Sequence, residues 1–205
     1  MATKTTRQRL LAAARKVLLD EGLEAASVRS MTSEAGANVA AIHYHFGSKD
    51  GLIREVVGAA ARDLSEAWSK ARSVSEEEGA SAGLESVLEG FLESIGRDRS
   101  RAALVTRALV GSDARLRNAV SAELAEGLRS LESTLARLEP GLERRSIHLA
   151  LCQLLGSALL WVPDPTLLER LGDTRYRWSD AADLRSRWAI LAASSLRHGL
   201  SIDPS

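Results

Sequence analysis

His43, Tyr44 and His45 set two imidazoles and a phenol side by side, with Asn38 before them and Lys49 just after. Two chemistries are open to such a run. On a strand, Ile42, Tyr44 and Phe46 alternate with the histidines, which then present an HxH metal pair. On a helix, at 3.6 residues per turn, the two imidazoles lie about 200° apart and cannot share one ion. The run then offers a hydroxyl and imidazoles as hydrogen-bonding groups on a surface. Metal sites need three or four convergent ligands and no third one is near, so no metal and no cofactor is expected. A metal-binding enzyme using His43 and His45 stays as an alternative.

The elements that must position these groups lie between Ser27 and Ile53, SVRSMTSEAGANVAAIHYHFGSKDGLI. Val28, Met31, Val39 and Ile42 punctuate polar residues at spacings of three to four on either side of Gly36, which predicts two short helices, each with one face to bury. Gly36 stands where a sharp turn needs a residue that tolerates positive φ. Ser27, Asn38 and Ser48 each precede a helical pattern and can accept an unpaired backbone N–H as N-caps. This is the pattern of a helix-turn-helix. A helix from about Thr6 to Glu21, apolar at Leu10, Ala14, Val17 and Leu18 and stopped by Gly22, supplies its third wall.

Ser48 then opens a long helical pattern through Leu52, Ile53, Val56, Val57, Ala60, Leu64 and Trp68, ending near Ser73 to Glu78. It starts in the small module and runs out of it, as a lever would; Gly51 and Gly58 are candidate bending points. Ser73 to Gly83 reads as a solvated loop at a domain boundary. Further helices are expected at about 83 to 96, 100 to 110, 113 to 138, 142 to 162 and 180 to 198, stopped by Gly96, Gly111, Pro140-Gly141, Pro163-Asp164-Pro165 and Gly199. The fold class is therefore all-α. An N-terminal three-helix domain, 1–48, precedes a helical domain, 49–205, and the long helix is shared between them.

The totals agree with an ordinary globular protein: 205 residues, 45% hydrophobic, 26% charged and 4% aromatic. Net charge is zero, but the first 58 residues carry eight bases and six acids. Lys4, Arg7, Arg9, Arg15 and Lys16 come before any acid, a sign that suits phosphate and equally a solvated helix face. Cys152, the single cysteine, excludes an intrachain disulfide. No hydrophobic signal core opens the chain, and the apolar run Ile147 to Val162 holds His148 and Gln153 and is too short to span a bilayer. A cytoplasmic protein without a membrane partner is expected. No Gly-rich phosphate loop and no GxSxG elbow is present, and no catalytic residue is assigned.

The string IHYHFGSKDGLI, 42 to 53, directly after a helix-turn-helix, resembles the N-terminal signature of the TetR family of bacterial transcriptional repressors. The resemblance covers about the first quarter of the chain. Met31-Thr32 and Gly36-Ala37 depart from the family's usual aliphatic-Ala and Gly-Val while keeping small or apolar chemistry. The resemblance implies that Ser27 caps the second helix against a phosphate and that Arg29 reaches a base edge or phosphate. It places Asn38, Val39, Ala40, Ala41, His43, Tyr44 and His45 on the recognition helix, and Lys49 on the DNA backbone. After Asn38 that helix lacks Arg, Gln and Asn, so specificity is expected from Arg29, thymine methyls met by Ala40 and Ala41, and DNA shape.

The resemblance further implies a homodimeric, ligand-released repressor that binds a near-palindromic DNA operator and an unidentified, hydrophobic small-molecule effector. Trp68, Phe91, Arg107, His148, Gln153 and Trp161, with Tyr176, are the candidate effector contacts, each of which is also a candidate for plain packing. The helix from Leu142 is apolar nearly all round, and the last helix has an apolar stripe. On pattern alone these two helices fill a monomeric core; the resemblance makes them a dimer interface through Leu151, Leu155, Gly156, Leu159, Leu184, Trp188, Leu191 and Ser195. A helical adaptor that binds only protein is the competing function. It would explain the amphipathic helices but not a recognition-type helix followed by Lys49.

Overall fold

A computed structural model describes residues 4–77, 84–138, 140–141, 143–161, 187, 189–191 and 193–194. The described residues form eight helices and no strand: α1 Thr6–Asp20, α2 Val28–Ala35, α3 Val39–Phe46, α4 Lys49–Glu77, α5 Leu84–Gly96, α6 Arg99–Val110, α7 Ala114–Leu138 and α8 Arg144–Trp161. Most of the helix expected at 180–198 lies outside the described residues. Of it, Arg187, Ala189, Ile190, Leu191, Ala193 and Ser194 are helical.

The caps anticipated from residue type stop and start the short helices. Thr5 and Gln8 form a reciprocal capping box at α1, Ser27 accepts from Ser30 N at 3.0 Å at α2, and Asn38 Oδ1 accepts from Ala40 N at 3.0 Å at α3. Ser48 Oγ accepts from Gly51 N at 3.0 Å and begins α4. Gly36, at φ 57° and ψ 44°, ends α2 in the left-handed region and makes the turn. Leu10, Ala14 and Leu18 of α1, Met31 of α2, Ile42 of α3 and Leu52 of α4 close a small core in which each is fully buried.

From there α4 is the spine. It continues helically through Glu77, so the anticipated loop beginning at Ser73 is, through residue 77, helix. Val57, Ala61, Leu64 and Trp68 carry its buried stripe past the first module. Its largest partner is α7. A Cβ on Gly127 of α7 would fall 2.7 Å from Ser65 Cα and from Ser65 O, so only glycine lets the two helices approach this closely, and Gly127 N donates to Ser65 Oγ at 2.9 Å across the contact. On another side α5 packs Phe91 against Trp68, with ring centroids 5.0 Å apart. Helix α6 lies between the two halves and touches α1, α4, α5, α7 and α8.

Candidate nucleic-acid interface

The geometry of α3 sorts its residues by face. Ile42 is fully buried and Ala41 and Phe46 are half-buried against the core, whereas Val39, Ala40, His43 and Tyr44 are exposed, one turn apart in pairs. Tyr44 is 83% exposed. His45 is half-buried, its ring edge-on to Tyr44 at 4.8 Å and 6.0 Å from Phe46. His43 Nδ1 lies 3.2 Å from Gly47 O, at the C-terminal end of α3. A carbonyl only accepts, so Nδ1 carries the hydrogen. The helix therefore separates the histidines, and the strand-based metal pair has no geometry to stand on. Among the described residues no group of three or more His, Cys, Asp or Glu is placed to hold a metal ion.

Of the seven α3 and cap residues picked from sequence, five thus lie on the open side: Asn38, Val39, Ala40, His43 and Tyr44. Ala41 and His45 turn partly inward, because positions 41, 42, 45 and 46 form the face that α1 and α4 cover. Ser27 is exposed, but its hydroxyl is engaged as the α2 cap. Arg29 is exposed and Lys49 half-exposed, and neither side chain has a hydrogen bond or ion pair with any described residue.

The cations of α1 differ from these two. Arg7 pairs with Glu55 of α4 and stands 5.4 Å over the Phe46 ring of α3. Arg9 Nη1 donates to Ala35 O at 3.2 Å and Gly36 O at 3.3 Å, which closes the end of α2 and the turn. Arg15 Nη2 donates to Asp98 Oδ2 at 2.6 Å and Ser100 Oγ at 2.7 Å at the start of α6. Lys16 meets Glu34 at 2.8 Å, and its hydrogen bond to that carboxylate raises its pKa. The basic N-terminal run is thus mostly internal fastening. Lys4 is its one member without such a partner among the described residues.

Gly51, a candidate bending point in the sequence, also sits at a close approach. A Cβ there would lie 2.1 Å from Phe46 O, so Gly51 lets the end of α3 settle onto the first turn of α4 and holds Lys49 beside the exposed face. The available signal was a glycine three residues past the Ser48 cap, where a helix gains nothing from it.

The junction behind this interface is also charged. Arg107, an anticipated effector contact, donates from Nη1 to Leu18 O at 2.7 Å and Leu19 O at 2.8 Å and so caps the C-terminus of α1. Ser112 Oγ donates to Glu24 at 2.9 Å. Burial alone would push the Asp98 carboxyl up, but hydrogen bonds from Ser100, Arg15 and the Arg101 backbone and the Arg15 charge outweigh it and hold it well below the usual carboxylate range. An open groove of about 810 Å³ runs along this seam between the loop after α1, the start of α4 and the α6–α7 corner, with Lys49, Asp50, Arg54 and Arg107 on its walls.

The remaining anticipated effector contacts disperse. Trp68 and Phe91 are fully buried in the core, and Trp68 Nε1 has no hydrogen-bond partner among the described residues. His148 is exposed on α8, 3.7 Å from the buried Glu132, and Gln153 is exposed. The side chain of Trp161, and Tyr176 altogether, lie outside what is described. On α8 the phase differs from the one expected for a dimer face: Leu151 is 3% exposed and faces its own core, and Leu155 is half-buried, because α5, α6 and α7 cover that side. The open side carries Leu149, Cys152, Gln153 and Gly156. Leu191 is 63% exposed, beside Ile190 at 55%. Leu184, Trp188 and Ser195, and the side chain of Leu159, lie outside the described residues.

Comparison with known proteins adds to this geometry. The family model for bacterial regulatory proteins, tetR family, matches residues 10–56. Over 54 residues the chain is 43% identical to the HTH-type nicotine-responsive transcriptional repressor HdnoR of Paenarthrobacter nicotinovorans, a match spanning 26% of this chain and 28% of that relative's length. Across nearly the whole chain the fold resembles PfmR, a TetR family transcriptional regulator from Thermus thermophilus, with a TM-score of 0.67 at 23% identity over 93% of this chain and 97% of the other. It also resembles the transcriptional regulator FadR from Bacillus subtilis, solved in complex with stearoyl-CoA, with a TM-score of 0.68 at 18% identity over 91% and 97%.

Proposed function

We infer that this chain, a member of the TetR family of bacterial regulatory proteins, is a DNA-binding transcriptional regulator that represses as a homodimer and is released by a small effector. Residues 1–48 bind DNA, and residues 49–205 dimerise and take the effector. The observation that carries the DNA reading is the exposed side of α3, flanked by Arg29 and Lys49, whose side chains have no partner among the described residues, whereas Arg7, Arg9, Arg15 and Lys16 are bound within the chain. Ser27 and Lys49, at the N-terminal turns of α2 and α4, would meet phosphates, and α3 would enter the major groove. Two such modules would read half-sites roughly 34 to 36 Å apart.

The dimer face we assign to the open side of α8 and the last helix, through Leu149, Gly156, Ile190 and Leu191, because large apolar side chains there stand in water in the single chain. The effector we place between α4 and α5, where Trp68 offers a buried indole N–H without an acceptor among the described residues; a hydrophobic ligand carrying one acceptor oxygen would satisfy it. No helix among the described residues is long and apolar enough to cross a membrane, and the protein works in the cytoplasm, where its DNA is.

The test is binding to duplexes selected from a random-sequence library, followed by fluorescence anisotropy across a salt series. Lys49→Ala should weaken every duplex and reduce the log–log salt slope by about one unit. An unchanged slope would remove Lys49 from the phosphate contacts, and a library yielding no salt-dependent binder would favour the protein-binding adaptor.

A further inference from the structure

The exposed face of α3 is poor in free polar groups. Bidentate readout of guanine needs Arg or Lys, and of adenine Asn or Gln. Helix α3 has no Arg, Lys or Gln, and its one amide, Asn38, turns Oδ1 onto Ala40 N at 3.0 Å as the cap. In the tautomer that donates Nδ1–H to Gly47 O, His43 turns Nε2 outward as an acceptor. What α3 and its cap offer a groove is therefore two aliphatic side chains, Val39 and Ala40, the amide N–H groups of Asn38, one acceptor on His43 and one hydroxyl on Tyr44. Val39 is 45% exposed at the N-terminal end of the helix.

On the major-groove edges of DNA the apolar group is the thymine C5-methyl, and the amino groups that an acceptor can meet are those of adenine and cytosine. An A·T pair shows a methyl and an amino group together. We propose that α3 reads A·T pairs by methyl contact: Val39 and Ala40 pack on thymine methyls, and His43 Nε2 accepts from the adenine amino group. This rests on the DNA-binding reading above and names its substrate. It also moves the methyl contact away from Ala41, which is half-buried against the core.

The test replaces thymine by uracil, position by position, in a duplex selected by the wild-type protein. Uracil keeps pairing and the O4 acceptor and loses only the methyl. One or more positions in each half-site should lose about fourfold in affinity per methyl removed. In Val39→Ala the penalty at the position under Val39 should shrink toward onefold, while Lys49→Ala should weaken binding overall and keep the penalty intact. Uracil-insensitive binding, or a penalty that Val39→Ala leaves unchanged at every position, overturns the proposal while leaving DNA binding standing. Failure to select any duplex would instead sink the DNA-binding reading itself.

Discussion

In the N-terminal module α2 and α3 are each eight residues long, and each begins at a polar cap. In the larger domain α4 and α7 run for 29 and 25 residues, and their contact is set by a glycine and apolar stripes. Short helices cannot stand alone, so α1 fastens them with specific polar bonds: Arg9 on the α2 carbonyls and Arg7 across α3 and α4. Long helices need fewer such bonds, and their precision lies in how near two backbones come. The same residue types thus mean different things in the two regions. A cation of α1 in the first is a fastener, and Gly127 in the second is a contact.

The largest effect that would break this comparison is expected at Gly127. Gly127→Ala sets a Cβ against the backbone of Ser65, where no flexible side chain can yield. Overpacking of this kind costs about 1 to 3 kcal/mol, which for a chain of this size lowers Tm by about 2 to 12 °C. Gly51→Ala, aimed at Phe46 O, should cost a similar amount and also weaken DNA binding, because the strain falls between α3 and Lys49. Equal stability of both variants and wild type in thermal melts would mean that the helices slide apart freely and that backbone approach does not fix them.

A smaller and more selective effect separates fastening cations from free ones. Arg9→Met should lower stability by about 0.5 to 1.5 kcal/mol, since two carbonyls at the end of α2 lose their donor. Arg29→Met should leave the melting temperature within about 1 °C of wild type, as surface changes away from packing usually do, and weaken DNA binding. If the two variants lose stability equally, the division between them fails. On the other domain, Leu149→Glu and Leu191→Glu should shift sedimentation from dimer to monomer with the fold intact, whereas Leu151→Glu should unfold the domain.

How much of this could be read from the sequence follows the same division. Ser27, Asn38 and Ser48 announced their helices because a cap acts within three residues of itself, and the helix-turn-helix followed. The partners of Arg9, Arg15 and Arg107 lie 26 or more residues away, and no spacing rule reaches that far. Helix α8 failed differently. Its apolar residues run nearly all round, so periodicity could not say whether Leu149 or Leu151 faced inward; that phase is set by which sides α5, α6 and α7 cover. Gly127 went unread because a glycine in an exposed helix and one at a helix crossing look alike in a string.

The smallest effect sharpens the comparison at the seam where the two regions meet. Asp98 caps α6 and holds Arg15 of α1, and its pKa in the folded chain is depressed below the ordinary 3.8. A depressed carboxyl contributes stability that is present above its unfolded pKa and is lost as pH falls toward the folded value. Wild type should therefore hold this contribution at pH 7 and surrender it progressively below about pH 4. Asp98→Asn keeps a side chain that can still cap α6 but loses the charge, so it should melt lower than wild type at pH 7, with the gap beginning to narrow below about pH 4 and narrowing further toward the folded pKa. A gap that stays constant with pH would assign the loss to geometry and not to charge. It would also place this contact with the packed, charge-indifferent interior and not with the polar fastenings of the first module.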